Sequence, residues 1–163
     1  MTGHDAIRNS FSRSRHLTRL LIDDFSDDDL LVRPVPEANH TAWQLGHLIV
    51  STQWMIGRFL GTGALALPDG FTERHGDAAS RDQSNAGYLS KAAYLELIDR
   101  IILSARDAVA ALPDAALDAP NTGNMAKMAP TVGSLFQLAA EHFLMHVGQF
   151  STVRRALGKP NKF

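Results

Sequence analysis

AAEHFLMHVGQF, residues 139–150, sets two histidines, His142 and His146, one helical turn apart inside an otherwise apolar run. Followed outward at steps of three and four, the same stripe takes in Leu135, Ala139, Phe150 or Gln149, Val153 and Leu157. That period belongs to the buried face of an α-helix. Thr131 is its candidate N-cap, and Gly158 with Pro160 stop it near Leu157. Both imidazoles therefore lie in core register. Their i, i+4 spacing stacks the side chains on one face, so their ring nitrogens can converge on one point.

Upstream, the same period recurs three times. Ile7, Phe11, Leu17, Leu21 and Phe25 oppose Asp5, Arg8, Arg13, Arg15 and Arg19, predicting an amphipathic helix over roughly 4–25. Ser26 can cap a short turn in SDDDLL before Pro34 and Pro36. TAWQLGHLIVSTQWMIGRFL, Thr41 to Leu60, reads as a second helix that is apolar on most sides, with Asn39 as its candidate cap. Residues 61–87 are rich in Gly, Asp, Ser and Asn and lack a period, a length of connection that is more often functional than idle. Ser90 opens a third helix that runs to Pro113, and PDAALDAPNTGNMAKMAP leads to the last. Alternating strand-like runs are absent. The expectation is an all-α four-helix bundle filling one domain, residues 1–163, with long loops between helices two and three and between three and four. Pattern alone leaves the order of the helices open.

Composition narrows the function. A net charge of −1 gives no field for holding a polyanion or an anionic membrane, so neither nucleic acid nor a membrane is an expected partner. No stretch approaches a membrane span and the N-terminus lacks a signal-peptide core, which makes a cytoplasmic location the expectation. The chain has no cysteine, so any metal must be held by His, Asp or Glu.

Two ligands hold a catalytic metal poorly, and His47 is the candidate third. It shares the stripe Trp43, His47, Val50, Trp54, and Gly46 beside it would let a neighbouring backbone approach. Three histidines from two helices would leave a coordination position open, as catalytic sites do. The competing reading makes each a core histidine satisfied by a hydrogen bond. Gln44 and Gln149 lie on the ligand side of their helices and could orient a ligand or simply pack. His40 is a capping or exposed residue, or else a ligand or proton shuttle. GFTERHGD, with Glu73, Arg74, His75 and Asp77, is a solvated loop tip or a cover for the site. Trp43 and Trp54 are core or pocket lining, and Arg154, Arg155 and Lys159 complement the last helix's dipole.

WQLGHL in the second helix, followed by EHFLMHVGQFSTVRRALG, resembles the DinB/YfiT-like superfamily of metalloenzymes over essentially the whole chain. The resemblance implies a four-helix bundle whose His47, His142 and His146 bind nickel, zinc or iron. It also implies a homodimer, a small-molecule substrate and, for some members, transferase or isomerase activity with a low-molecular-weight thiol such as bacillithiol, mycothiol or glutathione. Phe143 stands where His-Glu-x-x-His proteases carry their general base, which disfavours protease chemistry. Glu141 points well away around the helix. The alternatives are a metal-dependent hydrolase using Glu73 or Asp77 as base, and a non-catalytic bundle stabilised by its metal.

Overall fold

The computed structural model describes residues 1–162 except Gln83. Its helices are α1 (Gly3–Ile22), α2 (Thr41–Leu60), α3 (Phe71–Arg74), α4 (Lys91–Ala111), α5 (Asp114–Leu117) and α6 (Val132–Ala156). Four are long and form the bundle, and among the described residues there is no strand. The caps explain where they begin. Thr2 and Asp5 bond reciprocally at the start of α1, Ser90 accepts from the Ala93 N–H, and Thr131 pairs with Ser134. The cap of α2 is His40 instead of Asn39: its Nδ1 accepts the Trp43 N–H at 3.1 Å. α1 ends at Ile22, three residues short of the predicted limit, although Phe25 still enters the core. Ser26 and Asp29 then exchange hydrogen bonds across the predicted turn.

α1 packs on α4 and α6, and α2 packs on the same two, so α1 and α2 occupy opposite corners of the bundle. Contacts along each seam give the directions. Ser10 meets Gln137, Ser14 meets Ala140 and Leu21 meets Arg154, so α1 and α6 run parallel. Gln44 meets His146, Ser51 meets His142 and Phe59 meets Phe136, so α2 and α6 run antiparallel. Arg15 and Arg19 both reach Asp99, and His4 reaches Leu112, which sets α4 antiparallel to α1. α2 and α4 therefore point the same way. A chain leaving the end of α2 must travel back about 30 Å before α4 can begin, which is the physical reason for the long segment 61–90.

Arg154 lies in the last turn of α6, where it complements the dipole, and it does more than that. It is 1% exposed and donates to Asp24, to the Leu21 carbonyl and to the Pro160 carbonyl, tying the end of α6 to the end of α1. The guanidinium holds the Asp24 carboxyl down at about 2. Of the two tryptophans read as core or pocket lining, Trp43 is buried and Trp54, 58% exposed, lines a pocket. The loop sequence GFTERHGD is no solvated tip. α3 tucks Phe71 and His75 into the interior, His75 at 1% exposure, and leaves Glu73 and Asp77 outside.

Candidate metal centre

The antiparallel α2–α6 seam brings His47 opposite His142 and His146. One nitrogen from each of the three rings lies within 4.8 Å of the others. His142 Nε2 and His146 Nε2 are 3.3 Å apart. The His47 ring centre lies 5.2 Å from that of His142 and 5.5 Å from that of His146. Trp43, one turn before His47, stacks on its ring at 4.6 Å with the planes only 11° apart, which fixes the imidazole's tilt.

The outer nitrogen of each ring has a partner, and the partners dictate where the protons are. His47 Nδ1 lies 3.3 Å from the His75 carbonyl, which can only accept, so Nδ1 carries the hydrogen. His146 Nδ1 lies 3.0 Å from Gln44 Oε1. The Gln44 amide cannot be reversed, because its nitrogen donates to the Asn39 carbonyl at 2.7 Å. His146 Nδ1 is thus a donor as well. Ser51 Oγ gives its proton to the His47 carbonyl at 2.6 Å and so accepts from His142 Nδ1 at 3.1 Å. With one proton per ring, the hydrogen bonds place it on Nδ1 in all three and leave the Nε2 lone pair bare. Neither Nε2 of the 3.3 Å pair can donate to the other. Two facing lone pairs repel, and a shared cation makes the same geometry attractive.

Burial enforces the neutral state. Desolvation, reinforced by the neighbouring histidines, pushes His142 down to about 4 and His146 to about 3. Desolvation also lowers His40 and His75 to about 4. His75 donates from Nδ1 to the Phe71 carbonyl at 2.7 Å and accepts the Tyr94 hydroxyl on Nε2 at 2.8 Å, so its ring is pinned from both sides. Its flat face lies against Gly46. The close approach anticipated at that glycine is made by this imidazole and not by a backbone.

These four desolvated rings, three buried and His142 half-buried, predict an acid-labile fold. An unfolded histidine titrates near 6.5 and these titrate at about 3 to 4, so between those limits the unfolded chain binds more protons. Stability is complete above pH 6.5 and falls as the pH drops toward 4. Asp24 adds its own loss only below the ordinary carboxylate range. For chelator-treated protein the urea midpoint should fall steeply between pH 7 and pH 4.5, and a flat profile there would show that the rings titrate normally.

Of the remaining sequence-based candidates, Gln44 joins the site as a partner of His146, and Gln149, although exposed, also interacts with that ring. Between the two register options for the last helix, Phe150 is the buried one. His40 caps α2 and is no ligand. Glu141 is exposed and accepts from Gln137. Ser51 and His75 were not singled out for these roles. Ser51 had a signal in its place, one turn after His47 on the same stripe; the His75 carbonyl had none, since a backbone group leaves no mark in sequence.

A sequence profile of the DinB superfamily matches residues 10–150, and the chain belongs to that superfamily. A comparison with curated proteins finds no match. Among the described residues no helix is long and apolar enough to cross a membrane.

Proposed function

We propose that this member of the DinB superfamily binds one divalent metal ion through Nε2 of His47, His142 and His146 and uses it in a reaction on a small molecule. The observation that carries the reading is the set of three bare Nε2 atoms, each oriented by a partner on its far nitrogen. Three imidazoles suit zinc, nickel or iron. A bound ion supplies Lewis-acid charge that lowers the pKa of a water or thiol beside it. The chain's own part is to turn the Nε2 atoms of the rings toward one point and to leave a side open. The cluster contains no carboxylate, and Glu73 and Asp77 are exposed. This favours a ligand that brings its own nucleophile, such as a low-molecular-weight thiol, over hydrolysis driven by a protein base. The proposal includes a homodimer, to be checked by sedimentation.

The test is metal content by elemental mass spectrometry after purification without an affinity nickel column. The parent should carry about one equivalent. His47→Ala and His142→Ala should carry far less while keeping their helical circular dichroism. No uptake after incubation with zinc, nickel and iron(II) would make these core histidines. Turnover that depends on added thiol would separate the transferase from the hydrolase, and unfolding on chelation would point to a structural ion.

A further inference from the structure

The α2–α6 seam continues past the histidines as a groove roofed by the loop between α5 and α6. Its inner end is His142 with Ser51, and its walls are Met55, Met128, Met145 and Trp54, enclosing about 260 Å³. Trp54, Met128 and Met145 are 58%, 70% and 62% exposed, a cluster of large apolar side chains around one opening. Beyond Trp54 and Met55 the groove runs into a second hollow of about 200 Å³, which those two residues also line together with Arg58 and Asn121.

The outer hollow differs in chemistry. Asn121 is 4% exposed and fully engaged: its nitrogen donates to the Ala129 carbonyl, and its oxygen accepts from the Gly123 N–H and from Arg58 Nη2 at 2.9 Å. Arg58 also lies over the Phe59 ring at 4.7 Å. The guanidinium is thereby held in one orientation, yet among the described residues no carboxylate pairs with it. A fixed, unpaired Arg with no second cation lining the hollow suits a singly charged planar anion, and a carboxylate matches its fork. Ser51 and Arg58 are seven residues apart on α2, so the apolar stretch between cation and histidines spans about 10 Å.

We infer that this groove binds an amphipathic carboxylate, with its acid group on Arg58 and an apolar body laid along Trp54, Met55, Met128 and Met145 toward His142. The inference rests on the histidine cluster being the reacting centre, since that is what the far end of such a ligand reaches. The methionines let the wall adapt to different apolar bodies, because thioether chains are unbranched and polarisable. Arg58 selects the acid and sets the distance from it to the reacting end.

The test uses the full chain, chelator-treated and zinc-loaded, titrated calorimetrically with decanoate, decanamide and butyrate. Decanoate should bind about tenfold or more tightly than decanamide, which lacks the charge, and than butyrate, which lacks the apolar body. Arg58→Gln should bring decanoate down to the decanamide level. Met145→Gln, at an exposed position, should weaken decanoate and decanamide alike. Equal binding of decanoate and decanamide, or an unchanged ratio in Arg58→Gln, would overturn the inference. So would a parent dimer that Met145→Gln converts to monomer, because the face would then be covered by a second copy. The two readings fail separately: one equivalent of zinc without carboxylate preference removes the groove alone, and carboxylate preference without zinc uptake removes the metal alone.

Discussion

Replacing Gly46 with alanine should destabilise this protein by about 3 kcal/mol, against the usual sign of that substitution inside a helix. A helix-interior Gly→Ala change ordinarily gains about 1 kcal/mol, because alanine restricts the unfolded chain and shields the backbone. Here a Cβ would stand 2.0 Å from His75 Cδ2 and 2.3 Å from its Cγ and Nε2. The ring has nowhere to go, being 1% exposed and bonded through both nitrogens to Phe71 and Tyr94. Moving it breaks buried hydrogen bonds as well as overpacking the core, and together these outweigh the gain in propensity. The melting temperature should fall by roughly 6–12 °C. Zinc affinity should fall too, because displacing residue 75 moves the carbonyl that orients His47. A double-mutant cycle with His75→Ala checks the cause: the pair should be clearly less damaging together than the sum of the two. Simple additivity would mean that the contact is not what makes Gly46 necessary.

The same residues show how far the sequence could be read. The four long helices follow from a 3.6-residue period and from cap residues that act locally, so Thr41–Leu60 matches its expected limits and Thr131 caps α6 as expected. The pairing of helices is a different kind of fact. Whether α2 faces α1 or α6 depends on which stripes bury each other, and no local pattern records that; the parallel pairs follow only once the seam contacts are seen. The histidine cluster was legible because three imidazoles in core register need partners that the apolar side chains beside them cannot supply. The loop's contribution was not. Phe71 and His75 are four residues apart, too short a run to show a period, and both are buried beneath a sequence that otherwise looks solvated. For Trp54 the sequence left core and pocket lining open, and the structure decides for the pocket. This residue continues the Trp43–His47–Val50 stripe, but beyond the histidines that stripe faces the open groove. His40 displaced Asn39 as the cap through a bond any imidazole can make but few do.

Substituting Gln44 by leucine should weaken zinc binding about 10–100-fold with all three histidines intact. Gln44 is 2% exposed and its oxygen is the acceptor that keeps the proton of His146 on Nδ1. Leucine fills the space but accepts nothing, leaving a buried N–H unpaired and removing the force that turns Nε2 toward the other two rings. The ring can then shift its proton to Nε2, which competes directly with the metal. Glutamate at the same position keeps the acceptor for His146 but sets its other oxygen against the Asn39 carbonyl, so Gln44→Glu should bind zinc more tightly than the leucine variant. Competition against a chromophoric zinc chelator measures both. The contrast between the two variants carries the test, since a purely steric role for Gln44 would leave leucine near the parent and make the buried glutamate the damaging change. That ordering would remove the argument that the outer hydrogen bonds, and not only the three histidines, build the site.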